Sequence, residues 1–155
     1  MYMDKKYDYS NAIHMRNYVY NIHCHLVWAT KYRNKVFITP KLVQGMEKLL
    51  KYIAKCNEVA VENIKVMPDH VHMLVSFRPK LSITTMVRTL KGNSARYFLL
   101  NHPKLRKKLF WGNHLWSHSY YVGTVGDMSR QTVEKYIDDR YQNSPYPYLD
   151  KRKRK

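Results

Sequence analysis

Val59-Ala60-Val61-Glu62-Asn63-Ile64-Lys65-Val66-Met67-Pro68-Asp69-His70-Val71-His72-Met73-Leu74-Val75-Ser76-Phe77 is the stretch that decides the fold. Two runs rich in β-branched and apolar residues flank Pro68-Asp69, a dipeptide that cannot continue a strand ladder and favours a tight connection. The reading is an antiparallel pair, Val59 to Met67 and His70 to Phe77. Side chains alternate across a strand, so Val71, Met73, Val75 and Phe77 share one face. That face is the one to be covered by helices, which leaves His70 and His72 together on the opposite, open face.

Working outward, Tyr18 to Trp28 has a strand pattern with Ile22, Cys24 and Leu26 pointing one way and Asn21, His23 and His25 the other. Thr39 and Pro40 supply an N-cap and a first-turn proline for a helix to about Asn57, with Leu42, Met46, Leu49, Leu50 and Ile53 inward. Ser82 can cap a second helix whose inner stripe is Ile83, Met86, Val87, Leu90, Ser94, Tyr97 and Phe98. A basic, poorly periodic loop from Asn101 to Asn113 follows, then a strand from Ser119 to Val125 and a third helix to about Asn143. The order β-α-β-β-α-β plus a helix is the split βαβ pattern, so the predicted class is α+β, a ferredoxin-like antiparallel sheet with an extra C-terminal helix. Strands one and three should sit side by side in mid-sheet. One domain, 18–143, carries this pattern, flanked by flexible polar or basic termini at 1–17 and 144–155, the latter opening with Ser144-Pro145-Tyr146-Pro147-Tyr148 and closing with a basic run.

The whole chain has 155 residues, a size for one domain. Its 28 Lys and Arg against 11 Asp and Glu give a net charge of +17, while 45% hydrophobic and 14% aromatic content marks a folding chain rather than a disordered one. Such an excess favours polyanions, nucleic acid first. No apolar run approaches the ~20 residues of a membrane span and no signal segment opens the chain, so a cytoplasmic protein with no membrane partner is expected. Cys24 and Cys56 lack metal-ligand spacing and read as buried, reduced thiols.

Two histidines two residues apart on a strand have Cβ atoms roughly 6.5–7 Å apart, which allows both rings to reach one cation. Alternating histidines on a polar face are also ordinary surface residues, and the spacing does not separate the two readings. His23 and His25 are not assigned as ligands, and His14, His102, His114 and His118 read as solvated. On the last helix Val133, Ile137 and Tyr141 form an inner ladder, whereas Tyr136 lies about 100° round from Ile137 with its hydroxyl free to face a site. A phenol can attack a DNA phosphate to give an ester that stores the bond energy for later rejoining. With an ordinary pKa of ~10, it needs help to lose its proton.

Pro68-Asp69-His70-Val71-His72-Met73-Leu74 resembles the His-hydrophobic-His (HUH) motif of the single-tyrosine transposases of bacterial and archaeal insertion sequences, the peel-and-paste family. The resemblance extends, in order, to His25-Leu26-Val27-Trp28-Ala29-Thr30-Lys31-Tyr32-Arg33, Leu90-Lys91-Gly92-Asn93-Ser94, Tyr121-Val122-Gly123-Thr124-Val125-Gly126 and Val133-Glu134-Lys135-Tyr136-Ile137. It implies a small homodimeric endonuclease and strand transferase that acts on single-stranded DNA with hairpin ends. It further implies Mg2+ or Mn2+ on His70 and His72, Tyr136 joined to the 5′ phosphate, and active sites that a partner's tyrosine helix can complete in trans.

The family commonly has a Gln one helical turn after the tyrosine as a third metal ligand, and here Arg140 stands there, whose guanidinium cannot bind a cation. Asp139 or Gln142 could substitute, or the copy could be catalytically impaired. Lys31, Arg33, Lys91 and Arg96 are candidate phosphate contacts, with Trp28 or Tyr32 able to stack on bases if exposed. The alternative from another class is a non-catalytic RNA- or DNA-binding module whose histidines and aromatics stack on bases.

Overall fold

Alternation along Cys24, Leu26 and Trp28, and along Val71, Met73 and Val75, builds one apolar face of a four-stranded antiparallel sheet. The computed structural model describes residues 13–109 and 114–125. Its elements run β1 (Ile13–His14), β2 (Val19–Tyr20), β3 (His23–Ala29), α1 (Pro40–Cys56), β4 (Val59–Met67), β5 (His70–Phe77), α2 (Ile83–Asn101), α3 (Pro103–Leu109) and β6 (Tyr121–Val125). The sheet order is β4-β5-β3-β6, with every neighbouring pair antiparallel. The first and third strands of the split βαβ pattern therefore lie in the middle, as the sequence predicts.

Both long helices begin where their caps require. Thr39 accepts a hydrogen bond from the Leu42 amide and Ser82 from the Thr85 amide, each satisfying one of the amides that a helix start leaves unpaired. From α1, Met46, Leu50, Ile53 and Ala54 are buried; from α2, Met86, Val87, Leu90, Ser94, Phe98 and Leu99. They join Cys24, Leu26, Trp28, Met73 and Val75 in one core. Burying a side chain of this size contributes roughly 1.5–3 kcal/mol, so the face that β3 and β5 turn to the helices is fixed strongly. None of the described helices is long and apolar enough to cross a membrane.

Several expectations are corrected. The first strand is not continuous from Tyr18: Val19–Tyr20 pairs back onto Ile13–His14, closed by a hydrogen bond from the Met15 amide to the Tyr18 carbonyl, and the sheet strand starts only at His23. Residues 13–17 thus belong to a small hairpin rather than a loose terminus. The last strand begins at Tyr121, not Ser119. In the basic loop, Pro103 opens the short helix α3, a position where proline's missing donor costs nothing. Tyr97 is 47% exposed and Leu99 takes its place in the core. Cys24 is buried, which pushes its thiol pKa up, but Cys56 is exposed. The predicted third helix, with Tyr136, Asp139, Arg140 and Gln142, lies outside the described residues, as does the 144–155 terminus.

Candidate functional site

The second face of the sheet carries the candidate site. Register places His70 opposite Ala29, His72 opposite Val27, and Lys65 opposite His72 on β4. This face was expected to be open, and it is not: Val27 is 0% exposed, His72 1%, Ala29 2% and Leu74 2%. The reason lies in Val27, Ala29 and Leu74, apolar residues that alternate with the histidines on the same side and favour exclusion from water. Both histidines are therefore buried residues, and neither reads as an ordinary surface group or an open stacking platform.

One hydrogen-bonded anchor fixes the first ring. The Asp69 carboxylate accepts from His70 Nδ1 at 2.7 Å through Oδ1 and pairs with Arg33 Nε at 3.1 Å through Oδ2. Asp69 can reach a ring that begins on the next residue because it sits in the β4–β5 turn, outside the alternation of either strand. The turn is itself held: its carbonyls at Pro68 and Asp69 accept from the amides of Val36, Phe37 and Thr30. Arg33 approaches from a strained segment, with φ of 60° at Tyr32 and 54° at Arg33, a left-handed backbone that ordinary side chains disfavour.

From His70 the rings continue across the sheet. His70 and His72 have centroids 5.1 Å apart, His25 stacks on His72 at 6.1 Å, and Tyr121 meets His25 edge-on at 5.7 Å. Tyr121 lies across Gly123, where a Cβ would come within 2.8 Å of the phenol oxygen, so the glycine makes room for the ring. His23, on the same side of β3 as His25 but at the start of the strand, pairs with Glu62 at 3.0 Å instead. His102 is not merely solvated either, since its Nδ1 donates to the Phe98 carbonyl at 2.9 Å at the end of α2.

The electrostatics follow from this packing. Burial would raise the Asp69 carboxyl, but the hydrogen bond from His70 and the charge of Arg33 outweigh it and hold the pKa at about 2. Burial, reinforced by His70, His25 and Lys65, pushes His72 down to about 3, so that ring is neutral at pH 7. Nδ1 of His70 is committed to Asp69, so any bond from this ring to a cation falls to its Nε2. Two imidazoles, one oriented by a carboxylate and the other kept neutral by burial, form a donor pair suited to a divalent cation. Among the described residues no third His, Cys, Asp or Glu joins them in a cluster.

The expected phosphate contacts divide. Arg96 is exposed and lies over Tyr97, and Lys31 is half-buried near the Tyr32 ring. Arg33 instead positions Asp69. Lys91 donates to the Ser117 carbonyl at 2.6 Å and the Ser119 carbonyl at 3.1 Å, tying α2 to the segment before β6. Trp28 is 0% exposed and cannot stack on a base, whereas Tyr32 is 79% exposed and can. Sequence reasoning gave Asp69 no role beyond its place in the motif, and the available signal was a carboxylate next to the first histidine.

Comparison with known proteins bears on family and fold. A sequence model of IS200-like transposases matches residues 18–140. The chain is 40% identical over 126 residues to the ISDra2 transposase TnpA of Deinococcus radiodurans, covering 81% of this chain and 89% of that protein. It is 27% identical over 136 residues to the transposase for insertion sequence element IS200 of Salmonella typhimurium, covering 83% and 88%. The crystal structure of a candidate transposase from D. radiodurans superposes with a TM-score of 0.68 at 38% identity, covering 82% of this chain and 96% of that one. A REP-associated tyrosine transposase bound to a REP hairpin shares the fold at 11% identity, with a TM-score of 0.53 and coverage of 81% and 68%.

Proposed function

The chain belongs to the IS200-like transposase family, and from that footing we propose that it cleaves and rejoins single-stranded DNA at insertion-sequence ends through a 5′-phosphotyrosine intermediate, with Tyr136 as nucleophile and Mg2+ or Mn2+ on His70 and His72. The observation that carries this reading is the row Arg33–Asp69–His70–His72, half-buried at Arg33 and Asp69 and buried at both histidines, which orients one imidazole and keeps the other neutral. Nothing in a sheet's stability calls for that arrangement, since buried polar groups cost free energy that apolar ones do not.

Asp69 keeps His70 in one tautomer and one orientation, and Arg33 keeps Asp69 charged and in place. Burial keeps His72 unprotonated, so no proton has to be displaced from that ring before a cation binds. The bound metal would polarise the scissile phosphate and stabilise the charge that develops on it. The Tyr136 oxygen forms a bond to the 5′ phosphorus while the bond from phosphorus to the 3′ oxygen breaks. The departing oxygen takes a proton and becomes a free 3′ hydroxyl. The ester retains the energy of the broken bond, so attack by a 3′ hydroxyl reverses the step without a nucleotide cofactor. In the functional unit we place two copies of the chain, each able to lend its tyrosine helix to the other's histidines, acting on DNA with hairpin ends.

The test incubates the protein with labelled single-stranded element ends and Mg2+ and looks for an adduct that survives denaturant. The expected adduct vanishes with chelator and in His70→Ala and His72→Ala. Binding that persists in EDTA, with no adduct under any divalent metal, would favour the non-catalytic binding module.

A further inference from the structure

Beside the histidine pair, on the edge of the sheet, stands a residue whose charge is wrong for a site that holds a metal alone. Lys65 lies on β4, the outer strand next to β5, and its register partner is His72. Alternation gives it the histidine side, because Val66 is buried in the core under the helices and Ile64 packs against that core. Residues directly opposite in an antiparallel pair have Cβ atoms ~4.5–5.5 Å apart, which puts the lysine side chain within reach of whatever His72 holds. Its charge is among those that disfavour protonation of that ring. Lys65 is half-buried, a state in which a lysine covers its stem and keeps its head available to water or a ligand.

The same place would suit a carboxylate. An acidic side chain opposite His72 would attract a divalent ion and add an oxygen ligand, and among the described residues no third His, Cys, Asp or Glu joins the pair. A lysine does the reverse. An ammonium group has donors and no acceptor, so it cannot ligate, and its charge repels a nearby dication.

The rest of the row does not restore the balance. Arg33 offsets the charge of Asp69, so the anchored end adds no net negative charge. With a dication on His70 and His72, the row and Lys65 together carry an excess of positive charge that calls for an anion. A lysine on an edge strand can also guard against further strand pairing, a role that involves neither metal nor DNA.

We propose that Lys65 is a catalytic residue of the cleavage site, holding a non-bridging oxygen of the scissile phosphate together with the ion on His70 and His72. A phosphate shared by two cations turns their mutual repulsion into a common attraction. The negative charge that builds on the phosphate oxygens as the tyrosine attacks strengthens the contact, so it favours the transition state over the bound substrate. The inference rests on the reading of the histidine pair as the metal site of a single-strand DNA transposase and adds a substrate contact to it.

Two titrations of the full-length protein test this, and their signs differ. With Mn2+ alone, Lys65→Met should bind the ion about tenfold more tightly than the natural protein, because a partly screened charge beside the site is gone. With single-stranded element ends and Mn2+, in a Tyr136→Phe background so that no cleavage intervenes, the same change should weaken DNA binding about tenfold and lower the slope of log affinity against log salt by about 1. Lys65→Arg keeps the charge and should follow the natural residue in both. Unchanged affinities in a folded Lys65→Met protein overturn the proposal, with or without new oligomers, and so does a loss of affinity for both Mn2+ and DNA. If Lys65→Met fails to fold, acetylation of the Tyr136→Phe protein decides: element ends with Mn2+ should protect Lys65 from acetic anhydride, and equal labelling with and without DNA overturns the proposal. Opposite shifts in the two titrations without any covalent adduct in Mg2+ would refute cleavage and keep the phosphate contact. Adduct formation with unmoved titrations would refute the contact and keep cleavage.

Discussion

Asp69 and His70 are joined by a 2.7 Å hydrogen bond between adjacent residues, made where the β4–β5 turn suspends strand alternation. The bond leaves His70 with a single nitrogen for other work. Its removal should therefore be felt in metal affinity before it is felt in folding. Asp69→Ala is expected to weaken Mn2+ binding by about 10–100-fold in titration calorimetry, the usual size for loss of a carboxylate behind a ligating histidine. Arg33→Ala should have the same direction and a smaller size. Unchanged affinity in Asp69→Ala would show that the carboxylate does not position the ring.

The same carboxylate links stability to pH. Its folded pKa of about 2 lies below the ~3.9 of an unfolded aspartate. The ionised form thus contributes stability that is fully present above pH ~4 and is lost as pH falls toward 2, on the order of 2 kcal/mol. The difference in stability between the natural protein and Asp69→Asn, measured in EDTA, should shrink over that interval. A difference that stays constant from pH 5 to pH 2 would mean that the charge of Asp69 is not what stabilises the turn.

Lys91 and Arg96 lie on the same helix and should behave oppositely. Lys91 is committed to two backbone carbonyls, so Lys91→Met is expected to cost about 1.5–3 kcal/mol in denaturant unfolding, the range for hydrogen bonds to a charged group. Arg96 is exposed, and Arg96→Ala should leave stability within about 0.5 kcal/mol while lowering the slope of log affinity against log salt by about 1. Loss of salt dependence in Lys91→Met without loss of stability would reverse these assignments.

How far the sequence carries is clear from particular elements. The β4–β5 pair was legible because Val71, Met73, Val75 and Phe77 keep a strict period against the histidines, and α1 because Thr39-Pro40 is a start signal with one physical meaning. Helix α3 was hidden because Pro103-Lys104-Leu105-Arg106-Lys107-Lys108-Leu109 is too short and too basic to show a period. Tyr97 was misplaced because it sits at the edge of the α2 stripe, where a small rotation exchanges it for Leu99. The covered histidine face was missed because Val27, Ala29 and Leu74 are scattered over two strands and become a patch only after the strands pair. The Asp69–His70 bond and the double duty of Lys91 are tertiary contacts, and no local pattern encodes them.

Tyr32 combines a left-handed backbone with 79% exposure, which is strain without packing to compensate for it. Tyr32→Gly should relieve that strain and stabilise the protein by roughly 0.5–1 kcal/mol. If the ring stacks on a base, the same change should weaken single-strand binding about tenfold. Opposite signs in thermal melts and binding titrations are the expected result, and a variant that melts earlier would remove strain as the explanation.

The most direct measurement maps the covalent adduct by mass spectrometry. Of the 14 tyrosines in the chain, only Tyr136 is expected to carry a 5′-linked nucleotide after incubation with single-stranded element ends and Mg2+. Tyr136→Phe should abolish the modified peptide while leaving DNA binding in EDTA intact. A 5′-nucleotide on any other tyrosine, or full adduct formation by Tyr136→Phe, would contradict the proposed chemistry outright.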